Sequence, residues 1–164
     1  MVSRRQFLTL VAIGTPALAA TAAGIRLLPP EDEVGEFPTL RFGEDTCLRC
    51  GMVIDEPPFA AAWRDHANRE QLFDDIGCMA YEAHDRALTA AGFFVHDYTS
   101  GSWLRADEAV FAISSEITTP MGYGTAAFAG TADAQAHAEQ GTIVAWDEVL
   151  PGLDKRGDDH GGPH

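Results

Sequence analysis

The hydrophobic and polar positions in the central part of the chain follow two different periods, in an order that occurs twice. Short apolar runs bounded by turn residues are typical of strands, and longer stretches with apolar residues every three or four positions are typical of helices. The first unit has strands at residues 59–63 and 71–73, a helix at 75–91, a strand at 93–98 and, after a turn, an extended segment at 103–104.

The helix predicted at residues 75–91 has signals at both of its ends. Asp74 or Asp75 is the expected N-cap, because a short acidic side chain accepts hydrogen bonds from the first free amides of a helix. Gly92 is the expected stop signal. The apolar face comprises Ile76, Met79, Ala80, Ala83, Ala87 and Leu88. The same register places Cys78 in the first turn, where the positive end of the helix dipole stabilises a thiolate, so Cys78 is either a third thiolate of the site or a buried helix cysteine.

The second unit repeats the order of the first. It has strands at residues 109–113 and 126–128, a helix at 131–140 capped by Thr131, and a strand at 143–146. A loop at residues 118–124, with Pro and two Gly, joins the first two strands. Two such ββαβ-like units predict one small α+β domain with a mixed or antiparallel sheet.

The ends of the chain differ from this central part. Residues 1–28 match a twin-arginine export signal, with Arg4 and Arg5 followed by a mildly apolar stretch. That stretch just reaches the length of a membrane anchor, so cleavage and retention both stay open, but either places the domain outside the cytoplasm. We expect a linker at residues 29–45, the folded domain at 46–150, and a disordered tail at 151–164 in which His160 and His164 do not form a metal site.

Charge excludes some classes of partner. The 164 residues carry a formal charge of −14, and because three of the 11 basic residues lie in the acid-free first thirty, the remainder carries −17. Such a surface repels nucleic acid and anionic lipid, so we expect neither as a partner. The single lysine, Lys155, and the many acids fit either a protein kept soluble in high salt or an ordinary acidic secreted domain.

The candidate chemistry is carried by sulfur. The three cysteines, Cys47, Cys50 and Cys78, cannot all be used in disulfides within one chain. Met52 follows Cys50 by two residues, and Met121 lies in the second-unit loop between Pro and Gly, where a core methionine is not expected. Thiolates and thioethers together form a soft ligand set, which selects Cu(I). Met79 follows Cys78, but on the apolar helix face core packing is the better interpretation.

Two other metal or redox interpretations stay open. A zinc site needs four ligands, and a histidine would have to complete the three thiols. The histidines of the domain lie at no ligand spacing, and each is better explained as a surface or structural residue: His66, His84, His96 and His137. A thioredoxin-like use of Cys47 and Cys50 is weakened because Gly51 and two prolines follow, which prevents a helix from starting there.

Several motifs, taken in their order and spacing, resemble the NosL family of copper-binding accessory proteins for nitrous oxide reductase. The resemblance covers roughly residues 46–150 and is carried by Cys50-Gly51-Met52, Phe73-Asp74-Asp75-Ile76-Gly77-Cys78-Met79, Val95-His96-Asp97-Tyr98 with Trp103, Thr119-Pro120-Met121-Gly122-Tyr123-Gly124 with Phe128, and Trp146-Asp147-Glu148. It implies a fold similar to the organomercurial lyase domain, and a carrier that delivers one Cu(I) to the reductase with the help of a membrane transporter. We expect the protein to be a monomer.

The resemblance also ranks the site residues. It implies Cys50, Met52 and Met121 as the first-rank Cu(I) ligands, which requires loops 47–52 and 118–124 to lie close together. Cys47 is extra to the family pattern and is either a further ligand or a redox partner, and the chain lacks the lipid-acceptor cysteine of many members. The enzyme alternative is a thiol-dependent organomercurial lyase, in which Cys50 and Cys78 act with Asp74 or Asp75 as proton donor and the methionines have no role.

Overall fold

The computed structural model describes residues 37–90 and 92–159, with side chains described as far as Asp154. The predicted export signal and the first part of the predicted linker lie outside the described residues. Within those residues, no helix is both long and apolar enough to cross a bilayer.

The first sheet contains four antiparallel strands in the order β2-β1-β3-β4. These are β1 (Ala61–Arg64), β2 (Glu70–Phe73), β3 (Gly92–His96) and β4 (Trp103–Arg105), and helix α1 (Ile76–Asp85) connects β2 to β3. All four residues of β1 are buried. A central strand covered on both faces explains why Ala61, Ala62 and Trp63 form a continuous apolar run rather than an alternating pattern.

The second sheet contains three antiparallel strands in the order β6-β5-β7. These are β5 (Val110–Ile113), β6 (Thr125–Phe128) and β7 (Thr142–Val144), and helix α2 (Thr131–His137) connects β6 to β7. The first strand of each unit therefore lies in the middle of its sheet. The predicted order of strand, strand, helix, strand is confirmed in both units, as a mixed α and β domain with two antiparallel sheets.

The two sheets meet at the end of β3. Asp97 forms a parallel bridge with Ala127 of β6, and its carboxylate accepts a hydrogen bond from the amide of Ala129 (3.1 Å). Burial opposes the charge on Asp97, but hydrogen bonds from Ser100 and Ala129 outweigh it and lower the pKa of this carboxyl group. A buried carboxylate satisfied in this way joins the two units without an unpaired charge.

The boundaries of two predicted helices need correction. Helix α1 ends at Asp85 instead of continuing to residue 91, because Ala87 takes a left-handed conformation (φ 47°) and the amide of Leu88 bonds to the carbonyl of Ala83. Leu88 then packs against the core, which stabilises this helix end. The N-cap of α2 is Gly130, without a side-chain bond, instead of Thr131.

The folded region is also longer at both ends than predicted. Phe37 packs edge-on against Phe94, and Pro38 is buried, so the chain joins the domain before the predicted start at residue 46. At the other end, helix α3 (Val149–Asp159) occupies the start of the segment for which a disordered tail was predicted. Val149 and Leu153 of this helix are buried in the core. The four-residue spacing of Val149 and Leu153, in a segment that is otherwise short and polar, was too weak a pattern to predict helix α3.

Candidate metal centre

A tight loop brings the first two cysteines together. Thr46 and Val53 form an antiparallel bridge, and inside it the amide of Cys47 donates to the carbonyl of Met52 (2.8 Å). Gly51 takes a positive φ of 75°, which a side chain would strain, so this glycine allows the turn. The amide of Leu48 donates to the carbonyl of Leu72 (2.9 Å), which anchors the loop beside β2.

The start of α1 supplies the rest of the site. Asp74 directly follows β2, Asp75 is the N-cap, and Cys78 lies in the first turn of the helix. Asp75 was one of the two caps predicted, and its carboxylate accepts from the amide of Gly77 (2.8 Å). With Asp75 occupied in this way, Asp74 is available to face the cysteine loop.

These elements gather three thiols and one carboxylate at a single point. The ligand atoms of Cys47, Cys50, Asp74 and Cys78 all lie within 4.8 Å of one another. The sulfur of Cys50 lies 3.3 and 3.4 Å from the two carboxylate oxygens of Asp74. Cys47, Asp74 and Cys78 are buried, whereas Cys50 is half-buried. All three thiols are free. Because Cys50 alone of these four residues is partly exposed, solvent reaches the cluster there.

The three thiols ionise differently. A hydrogen bond from the Cys78 thiol stabilises the thiolate of Cys47 and lowers the pKa of Cys47 to about 6. The same contact, together with burial, raises the pKa of Cys78. Burial raises the pKa of Cys50 to about 11. Cys47 is therefore the thiol that ionises most readily, and the remaining thiol protons leave when a cation replaces them.

The second-unit loop, which contains Met121, also packs against the start of α1. The carboxylate of Asp75 accepts from the hydroxyl of Thr119 (2.6 Å) and from the amide of Met121 (3.1 Å). The Tyr123 ring lies directly over Gly77, where a side chain would not fit. Loops 47–52 and 118–124 therefore share one support, the first turn of α1.

Arg49 connects the two loops from outside. Its guanidinium pairs with Glu82 (3.0 Å) and Asp85 (2.8 Å) of α1 and also hydrogen-bonds to Tyr123. It further lies 5.5 Å from the ring centre of Tyr81. The cysteine loop, the helix and the methionine loop thus form one packed unit around the thiols, as the predicted proximity of the loops requires.

The methionines divide into two kinds. Met52 and Met121 are exposed, with 47% and 38% of their surface accessible. Met52 belongs to the loop that carries Cys47 and Cys50, and Met121 belongs to the loop whose backbone is bonded to Asp75. Met79 is fully buried and belongs to the core. The buried position of Met79 agrees with the core packing that was predicted from its place on the apolar face of the helix.

The four histidines of the described residues lie outside the thiol cluster. His66, His84 and His137 are exposed. His96 is buried against Trp103, with ring centroids 3.9 Å apart, and its Nδ1 lies 2.6 Å from the carbonyl oxygen of Pro57. The fourth member of the cluster is Asp74, which sequence reasoning considered only as a helix cap and as the proton donor of the lyase alternative. The signal for it was the pair of adjacent acids just before a helical cysteine, of which only one can be the cap.

Comparison with known proteins agrees with this arrangement. A profile of the NosL family matches residues 41–153, which is more than half of the chain. The fold resembles that in the crystal structure of the copper chaperone NosL from Shewanella denitrificans, with a TM-score of 0.61 and 22% sequence identity over 68% of this chain and 94% of that chain. Among curated proteins, no match is found. Because the profile covers both ββαβ units and all three cysteines, the chain belongs to the NosL family.

Proposed function

We propose that this protein is a Cu(I) carrier that holds its cargo at the thiol cluster and passes it to a copper-acceptor protein. The observation that carries the proposal is the convergence of Cys47, Cys50 and Cys78 with Asp74 within 4.8 Å. Family membership supports the choice of copper, since the similar crystal structure is described as a copper chaperone. The protein is then a carrier and not an enzyme.

The dimensions of the cluster suit a single ion. Metal–thiolate bonds are about 2.3 Å long, so two sulfurs bound to one ion lie at most about 4.6 Å apart. The present limit of 4.8 Å therefore requires shifts of only a few tenths of an ångström. Soft sulfur donors with low coordination numbers favour Cu(I) over harder divalent ions.

The exposure gradient suggests how the ion leaves. Cys47 and Cys78 are buried, Cys50 is half-buried, and Met52 and Met121 are exposed. A thioether is a neutral donor and binds more weakly than a thiolate. We infer that Met52 or Met121 releases first, a ligand of the acceptor takes its place, and Cys50 is exchanged next.

A competition titration tests the proposal. The reduced protein, titrated against a chromogenic Cu(I) chelator, is expected to bind one Cu(I) per chain. Cys50→Ser is expected to abolish this binding and Met121→Leu to weaken it. Met79→Leu is the matched control, because it changes a buried methionine of similar volume and should leave copper affinity unaltered. X-ray absorption of the loaded protein should show a first shell of sulfur, and a shell dominated by oxygen or nitrogen would refute the ligand set.

Zinc is the main competing cargo. Asp74 gives the cluster the fourth ligand that the sequence lacked, and a carboxylate is an accepted zinc ligand. Equimolar Zn²⁺ is expected not to displace Cu(I) from the loaded protein. Displacement at equal concentration would favour a zinc module over a copper carrier.

The lyase alternative has a direct test. Two thiols and the Asp74 carboxylate lie together, as cleavage of a mercury–carbon bond would need, and we propose that the domain is similar in fold to the organomercurial lyase domain. Purified protein incubated with an aryl mercurial and excess thiol should nevertheless release no arene. Release that depends on Asp74 would overturn the assignment as a carrier.

We further propose that the acceptor is nitrous oxide reductase, reached with the help of a membrane transporter, and that the protein works outside the cytoplasm. The twin-arginine sequence at Arg4 and Arg5 supports export. Arg4→Lys combined with Arg5→Lys is expected to retain the protein in the cytoplasm. Normal export of the double variant would contradict the predicted route.

A further inference from the structure

Resting on the proposed Cu(I) function, we propose that Asp75 is a positioning residue for copper, which sets the place of the Met121 thioether relative to the thiols. Asp75 is fully buried and lies one residue after Asp74. The two neighbouring acids have different surroundings. Asp74 faces the sulfur of Cys50, and Asp75 faces the loop that carries Met121.

The two oxygens of the Asp75 carboxylate have separate partners. Oδ1 accepts from the amide of Gly77 and so caps α1. Oδ2 accepts from the hydroxyl of Thr119 (2.6 Å) and from the amide of Met121 (3.1 Å), two bonds that join residues far apart in the sequence. One oxygen therefore holds the helix and the other holds the methionine loop to it.

The bond from Thr119 extends into the loop. Its hydroxyl accepts from the amide of Gly124 (3.2 Å), and its carbonyl accepts from the amide of Gly122 (3.0 Å). Residues 119–124 thus form a turn closed by hydrogen bonds to Thr119, and this turn is bonded to Oδ2 of Asp75 through Thr119 and Met121. These bonds hold the turn against the start of α1 through Oδ2 of Asp75.

The consequence concerns Met121. Its side chain is exposed at 38%, so packing alone does not define the place of its sulfur, whereas its backbone amide is bonded to Asp75. Cys78 lies in the helical turn that Asp75 caps. The same carboxylate therefore orders the backbone of a thioether ligand and of a thiolate ligand before the ion arrives, which reduces the entropy cost of binding.

Asp75→Ser separates the two functions of the carboxylate, which are to cap α1 and to accept hydrogen bonds from Thr119 and Met121. Serine is as good an N-cap as aspartate, but its single short hydroxyl has no second oxygen for Thr119 and Met121. We expect Asp75→Ser to weaken Cu(I) binding about tenfold in the otherwise unchanged chain, the size of effect of leaving a buried hydrogen-bond donor without its partner. In a chain that already carries Met121→Leu, the same change should weaken binding by less than about twofold.

This double-mutant cycle distinguishes positioning from general support of the fold. Equal weakening in both backgrounds would overturn the inference, because a merely structural residue acts whether or not Met121 is present. Failure of the unaltered protein to bind Cu(I) would instead refute the proposed function. Should Asp75→Ser fail to fold by circular dichroism, Thr119→Val removes the neighbouring donor, leaves the cap intact and is judged by the same cycle.

Carbon-13 labelling of methionine methyl groups gives a second readout. The Met121 methyl signal is expected to shift when Cu(I) binds to the unaltered protein and to stay near its metal-free position in Asp75→Ser. Met79, buried in α1, is the internal control, and its signal should be the same in both proteins. A Met121 shift of the same size in Asp75→Ser would overturn the inference.

Discussion

Gly77 offers a test of how closely the methionine loop packs on the helix. It is the second residue of α1, and a Cβ atom placed on it would lie 2.7 Å from the Cβ atom of Tyr123 and closer still to the ring. Ordinary contacts begin at 3.4 Å, so the two backbones must separate by at least about 0.7 Å. Rotation of the ring cannot relieve this contact, because the Cβ atom of Tyr123 moves only with its backbone.

Two opposing effects decide the cost of Gly77→Ala. Alanine in a helix is favoured over glycine by about 0.5–1 kcal/mol. Forcing a methyl group into a packed contact costs about 1–3 kcal/mol. Since Asp75 holds the loop in place, we expect the upper part of that range and a net loss of about 2 kcal/mol. For a domain of this size the melting temperature should fall by about 8 °C.

Thermal unfolding of the metal-free protein, followed by circular dichroism, measures this loss. Tyr123→Gly is the matched background, because it removes the three atoms nearest to the new methyl group. There, Gly77→Ala should raise the melting temperature, since only the helix preference remains. Stabilisation by Gly77→Ala in the unaltered chain would refute the close packing of the loop on α1. Copper affinity should fall with the melting temperature, because Met121 lies two residues from Tyr123.

The remaining predictions concern charge and protonation. Cu(I) affinity should rise with pH, because the raised pKa values of Cys50 (about 11) and Cys78 mean that both thiols lose a proton on binding. Competition titrations at pH 6.5 and 7.5 measure this, and equal affinities would contradict it. Asp74→Asn should weaken Zn²⁺ binding at least about tenfold and leave Cu(I) binding nearly unaltered, because carboxylate is a ligand for zinc but not for a soft ion. An equal loss of affinity for both ions in parallel titrations would contradict this difference between the two ligand sets. Burial lowers the pKa of His96, so the unfolded chain takes up a proton first as the pH falls, and stability should drop below about pH 6.5. Urea unfolding at pH 5 and 7 checks this, and His96→Phe should reduce the difference.

Local signals predicted much of the fold. Apolar runs marked both central strands, and the acidic pair before Ile76 marked the start of α1, because periodicity and capping depend on neighbouring residues alone. The end of α1 could not be predicted in this way. The left-handed conformation of Ala87 is stabilised by Leu88 packing on the core, a contact that no local pattern shows.

The sulfur chemistry was also visible in the sequence, because residue types alone decide softness. Cys50, Met52 and Met121 were singled out from their neighbours and from the family resemblance. What only the tertiary structure decided is which groups meet. The loop containing Cys47 is anchored on β2, and β2 leads directly into the first turn of α1. This connection brings Cys47 and Cys50 to Cys78 and Asp74, from separate parts of the chain, and leaves Asp75 to hold the loop of Met121. Spacing along the chain predicts which residues share a helix face, but only the packing of one element on another sets the distance between ligands on different elements.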